Sequence, residues 1–219
     1  MKITMNIGKQ ALPFFLSLVL ISCNDSSEKK NDSKNEKEVT ETKKDTAAKK
    51  DVPAPKIKNP EKKWNADEAT AQIKFSVKGT FGMVHGTLSG LKSTIVFDED
   101  DLAASSIRAS VDPKTIKTGI KLRNSDLQKE KYFNSDKYHT LSFQSDKIQK
   151  NKTGYKALGN LTIKGVTKQV EIPFSFSPKG NAGVFKGDFT ILRKDYGVGG
   201  SGGSIGNTIT IHLEVPVKK

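Results

Sequence analysis

NLTIKGVTKQVEIPF, residues 160–174, alternates twice. Leu161 and Ile163 alternate with polar neighbours before Gly165, and Val170, Ile172 and Phe174 alternate after it, so the spacing predicts two half-buried strands joined by a turn. The apolar face they share either covers an ordinary core or lines a pocket that holds something greasy. The rest of the chain decides what kind of sheet these strands join.

The same period of two recurs on both sides. Ile73, Phe75 and Val77 alternate with polar residues, as do Ile95 and Phe97, then Ile107, Ala109 and Val111. Leu141 and Phe143 follow, then Tyr155 and Ala157, the opening stretch through Phe176, Phe185 with Phe189 and Ile191, and finally Ile209 to Val215. That makes about eight strands with one face buried. One stretch differs: Ser125 as an N-cap with Leu127, Lys131 and Tyr132 at helical spacing predicts a short helix over about 126–133. Asp112-Pro113 predicts a turn, with a brief helical one included. Many antiparallel strands with one or two short helices define an all-β class, a sandwich or a closed barrel, and closure removes the edges such a protein must otherwise protect.

The first 63 residues read differently. Lys2 and Lys9 precede an apolar run over 11–21, too short to span a bilayer and laid out like a secretory leader, ending in Leu20-Ile21-Ser22-Cys23. This resembles a bacterial lipobox, so 1–22 is expected to be a lipoprotein signal peptide and Cys23 the site of lipid attachment. Cys23 is the only cysteine, which rules out a disulfide framework. Residues 23–63 are rich in Lys, Glu, Asp, Ser and Thr with almost no large apolar residue, the composition of a disordered tether. The domain is then 64–219, where 23 basic residues against 15 acidic ones leave +8 of the chain's formal +13. In an exported protein such an excess suits solubility or attraction to anionic membrane rather than nucleic acid. The expected place is the bacterial cell envelope, lipid-anchored at the outer membrane, periplasm or cell surface.

From Trp64 to the C-terminus the chain resembles the YceI-like domain. The residues that carry the resemblance are Trp64 with Asp67, IKFSVKGTFGMVHGTLSG at 73–90, Thr118-Gly119 followed by Arg123 and Leu127, and Tyr132-Phe133 before YHTLSF. GNLTIKGVTKQV at 159–170 and ILRKDYGVG at 191–199 are the most specific. The resemblance implies a lipocalin-like antiparallel barrel that binds polyisoprenoid lipids and quinones inside. The chain departs from the pattern at Arg123-Asn124-Ser125-Asp126-Leu127, where members commonly show Arg-Asp-x-His-Leu, and at His139, where they show proline.

Enzymatic motifs fail on context. Gly199-Gly200-Ser201-Gly202-Gly203 satisfies G-x-S-x-G, and Gly197, Gly199 and Gly202 satisfy G-x-G-x-x-G, but both need a helix directly after the turn and here the β-pattern of TITIHLEV follows. The stretch reads as a mobile glycine loop, able to act as a flap at a barrel mouth. His85, His139 and His212 are dispersed without metal-ligand spacing, so no metal is expected. Asp98, Glu99, Asp100 and Asp101 read as a solvated turn. Arg193 continues the inward parity of Phe189 and Ile191; it either pairs with Asp195 or Asp188 or contacts a ligand head group, as Arg123 is also placed to do.

The expected protein is not an enzyme but a membrane-tethered binding protein without a cofactor, holding a polyisoprenoid lipid or isoprenoid quinone inside the barrel as carrier, reservoir or envelope stress protein. Ile73, Phe75, Val77, Phe81, Val84, Ile107, Val111, Phe143, Leu161, Ile163, Ile172, Phe174, Phe189 and Ile211 are the candidates to line the ligand. Ala109, Ala157, Gly159 and Gly187, on the same parity, are candidates to leave space among them. The rival is a structural or interaction module of the envelope whose core is filled by its own side chains.

Overall fold

The computed structural model describes residues 62–219. The leader, Cys23 and the tether up to residue 61 lie outside the described residues. Ten strands form one antiparallel sheet: β1 (Lys63–Ala66), β2 (Gln72–Gly79), β3 (Gly82–Leu88), β4 (Lys92–Val96), β5 (Ser106–Val111), β6 (Leu141–Asn151), β7 (Gly154–Ile163), β8 (Val166–Lys179), β9 (Ala182–Leu192) and β10 (Ile205–Lys218). β1 and β2 lie along different parts of the same strand, β10, and β1 pairs with β4 while β2 pairs with β3. The two short pairs are therefore two interrupted staves, and the sheet closes as an eight-stave barrel with one helix, α1 (Lys121–Gln128). Closure satisfies backbone donors and acceptors that an open sheet would leave on its edges.

The opening stretch forms β7 and β8. Lys164 (φ 51°) and Gly165 (φ 76°) are both left-handed, which is the two-residue hairpin turn whose twist matches the strands. Register follows: Ile163 faces Val166, Ala157 faces Ile172 and Tyr155 faces Phe174. A Cβ on Gly165 would sit 2.5 Å from the Tyr138 ring, so glycine is required here for space as well as for φ. In β6 the register shifts between Ser145 and Lys147, and burial moves from Ser145 to Ile148 across the exposed Asp146 and Lys147. The Ser145 hydroxyl accepts the Ile107 N–H at 2.8 Å, which ties the irregular point to β5.

Two poles result. The β2–β3, β5–β6, β7–β8 and β9–β10 connections gather at one end, and the β4–β5, β6–β7 and β8–β9 connections at the other. The helix starts earlier than its spacing suggested. Gly119 turns with φ 77°, and the Asn124 side-chain oxygen accepts from both the N–H and the hydroxyl of Thr118, binding that turn to the first helical turn. Ser125 is therefore inside α1, where its hydroxyl donates to the Lys121 carbonyl instead of capping. Residues 129–138 are turns, held by Ser135, whose hydroxyl donates to the Gln128 side chain at 2.6 Å. Asp112-Pro113 does open a short 310 helix, with the Asp112 carboxylate accepting from Lys114 N–H.

The second pole is filled by aromatic rings. Phe97, 2% exposed, meets Tyr155, Phe174, Phe176 and Phe185 edge-on at centroid distances of 5.0, 5.6, 5.3 and 5.4 Å. Phe176 and Phe185 stack at 4.4 Å, Trp64 packs edge-on against Phe176, and the Trp64 indole donates to the Phe97 carbonyl. Edge-to-face pairs add to the burial energy of the rings themselves. Beside them the Tyr155 hydroxyl donates to Glu99, and that carboxylate pushes its pKa up to about 12. The four acids at 98–101 form a structured turn: Asp98 accepts from Asp100 N–H and pairs with Lys62 at 3.0 Å, which lowers its pKa. Phe97→Ala is expected to destabilise the domain by about 3–5 kcal/mol, read from denaturant unfolding curves; a loss under about 1 kcal/mol would show that the base is not what holds the barrel.

Candidate functional site: a blind-ended apolar cavity

Above the aromatic base the barrel is hollow. An upper cavity of about 790 Å³ opens at the mouth, and a lower chamber of about 190 Å³ lies toward the base. Ile73, Leu88, Leu141, Ile163 and Ile211 line both, forming the waist between them. Inward residues of β2, β3 and β10 supply most of the upper strand walls, and inward residues of β4 to β10 supply the lower ones.

Of the residues singled out from the sequence, Phe75, Val77, Phe81 and Val84 line the upper cavity together with the waist residues Ile73, Ile163 and Ile211. Ile107, Val111, Phe143, Leu161, Ile172, Phe174 and Phe189 line the lower chamber. Phe81 sits at the rim, fully exposed. Ala109, Ala157 and Gly187 do border the lower chamber, whereas Gly159 does not: a Cβ there would lie 2.2 Å from the Gln144 carbonyl. The lower wall also holds Ser93, whose hydroxyl is buried without a hydrogen-bond partner among the described residues. A ligand oxygen reaching this depth would find a free polar contact.

Sequence parity missed the roof. Ile116, Ile120, Leu122, Leu127, Tyr132 and Phe133, from the β5–β6 connection, and Tyr196 and Val198, from the β9–β10 loop, all line the upper cavity. Outside α1 their segments are irregular and carry no period to read; Leu127 and Tyr132 were visible through helical spacing and as family markers, Phe133 and the Arg-Lys-Asp-Tyr-Gly run only as family markers. Burial pushes the Tyr196 hydroxyl's pKa up, so it stays neutral in this wall.

Arg193 does neither of the two things expected of it. It is 4% exposed and pairs with neither Asp195 nor Asp188; Asp188 instead lies against His212 on the barrel exterior. Its guanidinium donates to five backbone carbonyls: Nε to Gly206, Nη1 to Val198 and Gly200, and Nη2 to Gly202 and Ile205, at 2.7 to 3.4 Å. A guanidinium has five N–H groups, so none is left over for a head group. The glycine loop is consequently wrapped around a cation and docked through Gly199 N–H on the Lys131 carbonyl at 2.8 Å, which corrects its description as a free flap. Gly199 (φ 80°) is needed because a Cβ there would lie 2.9 Å from Arg193 Nη1.

Arg123 is the opposite case. It lines the upper cavity from α1, half-buried, and its guanidinium has no hydrogen-bond or ion-pair partner among the described residues. Neither the histidines nor any other His, Cys, Asp or Glu residues form a group of three suited to a metal among the described residues. Ser201 is exposed in the loop, which leads directly into β10 rather than a helix.

An eight-stave antiparallel barrel with a blind apolar cavity is a lipocalin-like binding architecture. The YceI-like domain model matches residues 64–217, and the chain belongs to that family. A UPF0312 protein of Yersinia enterocolitica is 27% identical over 146 residues, covering 63% of this chain and 76% of that protein. Among solved structures, BcnA of Burkholderia cenocepacia superposes with a TM-score of 0.65 at 23% identity, over 69% of this chain and 99% of BcnA. A polyisoprenoid binding domain from Saccharophagus degradans, implicated in plant cell wall breakdown, gives 0.56 at 12% identity, over 71% and 97%. At these identities the structural likeness establishes the fold.

Arg193→Ala is expected to cost about 2–4 kcal/mol, because removing the cation strands several loop carbonyls, and to open the loop to limited proteolysis. Arg193→Lys is expected to rescue little, since three donors from one point cannot reach five carbonyls. Unchanged proteolysis in both would show that the loop holds itself.

Proposed function

We propose that this protein is a non-enzymatic carrier or reservoir that holds a polyisoprenoid lipid or isoprenoid quinone in its barrel. The observation that carries this is the blind apolar cavity itself: it is in the size range of small-molecule sites, walled by aliphatic and aromatic side chains, and closed at one end. The chain of the ligand would pass the Ile163 waist toward the aromatic base, each buried methylene contributing about 0.8 kcal/mol. Its head would rest at the mouth, where Arg123 offers free donors to a pyrophosphate or quinone oxygen. Membership of the YceI-like family and the likeness to a polyisoprenoid binding domain support this ligand class. The filled-core alternative describes only the base.

The same reading makes the protein a lipoprotein of the cell envelope, anchored by acyl chains on Cys23. Residues 24–61, 38 in number, would be a tether, able to reach at most about 130 Å fully extended.

Organic extracts of the purified protein are expected to contain an isoprenoid by mass spectrometry. Ile163→Trp, at the waist, is expected to empty the lower chamber of ligand and cut the lipid content severalfold while leaving the unfolding midpoint nearly unchanged. Wild type that carries no isoprenoid, even after exposure to quinone and polyprenyl phosphate, beside an Ile163→Trp variant that is only destabilised, would sink the carrier and favour a structural module. Cys23→Ser is expected to release the protein from membranes or leave it as uncleaved precursor; mature mutant still firmly membrane-bound on fractionation would defeat the lipid anchor.

A further inference from the structure

The large apolar side chains left exposed among the described residues are Phe81, Met83, Ile120, Leu122, Val166 and Leu192. All six sit at the mouth pole, on the β2–β3 hairpin, the start of α1, the β7–β8 turn and the end of β9. Scattered exposed hydrophobics are ordinary on a protein surface; confinement of every one to a single pole is not. Four of them border the cavity opening: Phe81 is 103% exposed, Leu122 73%, Met83 56% and Ile120 49%.

Charge is arranged around the same rim. The segments that carry those four side chains, 72–88 and 112–128, contain Lys74, Lys78, Lys114, Lys117, Lys121 and Arg123 against only Asp112 and Asp126, and Asp126, which also lines the cavity, is engaged by Lys129 at 2.7 Å. Lys114 is engaged by Asp136 at 2.7 Å, but Lys78, Lys117 and Lys121 have no ion-pair partner among the described residues. Apolar tips interleaved with lysines, on a hairpin turn and at the start of a helix, match a lipid interface: rings and aliphatic groups enter the acyl boundary while the lysine stems reach up to phosphate. A folded protein partner would instead need a shaped surface against these tips, and Phe81 protrudes free.

We propose that the mouth pole docks on the surface of an anionic lipid bilayer, inserting Phe81 and Leu122 and placing Lys78, Lys117, Lys121 and Arg123 at the headgroups. Docking seals the cavity opening against the acyl region, so a greasy ligand passes between membrane and barrel without crossing water. The surface stands whatever the cavity holds, so its test is separable from that of the carrier.

In the full-length chain an environment-sensitive fluorophore is placed at the mouth by Thr80→Cys or at the opposite pole by Asn181→Cys. The unsubstituted chain, whose single cysteine is Cys23, gives the background. Each sample is mixed with phosphatidylglycerol or phosphatidylcholine vesicles whose acyl chains carry a quencher, and its isoprenoid content is measured in parallel. The mouth label is expected to be quenched severalfold more strongly than the base label, on phosphatidylglycerol and far less on phosphatidylcholine. Lys78→Gln with Lys121→Gln is expected to weaken docking by roughly 30-fold, about fivefold for each lysine, and Phe81→Ser with Leu122→Ser to abolish quenching while the circular dichroism spectrum stays that of wild type. Equal quenching at both poles, or indifference to lipid charge, would overturn the proposal, even in a sample that retains its isoprenoid. A mouth label that responds to protein concentration without vesicles would assign the face to a second copy of this chain instead.

Discussion

A barrel that is hollow at one end must be held by the other, and here that task falls to the rings around Phe97. An empty chamber forfeits the dispersion contacts that a packed interior would supply. The loss is tolerable because the base concentrates aromatic area in a small volume, with Trp64, Tyr155, Phe174, Phe176 and Phe185 arrayed edge-on or stacked about one buried ring. The same rings close the cavity from below. Stability and a single-ended chamber therefore come from one cluster.

The mouth uses a different device. Its longest connections cannot bury a hydrophobic core of their own, because the space beneath them is the cavity. The β9–β10 loop instead folds around the Arg193 guanidinium, with backbone carbonyls substituting for the carboxylate that a buried cation usually finds. Neutral oxygens spread around a planar fork satisfy its donors without adding a negative charge to the rim. That leaves the net positive charge of Arg123, Lys78, Lys117 and Lys121 at the mouth in place, and a carboxylate partner for Arg193 would have reduced it.

Period-two alternation made the walls legible. Side chains on an antiparallel strand alternate strictly, so parity assigned Phe75, Val77, Leu161, Ile163 and Ile172 to the interior without knowledge of which strands pair. Parity says nothing about height along the barrel, however. Phe174, Phe176 and Phe185 share the inward face, yet only Phe174 and Phe185 reach the lower chamber, and all three belong to the base. The helix was misplaced by five residues at its start because Ser125 looks like a cap, while the side chain that fixes the entry is Asn124, reaching back to Thr118. Nor does a sequence show that an inward arginine will take carbonyls of its own loop as partners, since those oxygens exist at every residue and carry no letter.

The domain begins and ends at its blind pole. Lys62 accepts the Phe97 N–H on its carbonyl, and Lys219 donates its N–H to Asn181 in the β8–β9 turn while its ammonium lies 5.2 Å above the Trp64 ring. Chain added at either junction would thus emerge a full barrel length away from the opening. Such a layout makes the domain easy to append: it can be spliced onto a leader, a spacer or a further domain without the join crossing the entrance.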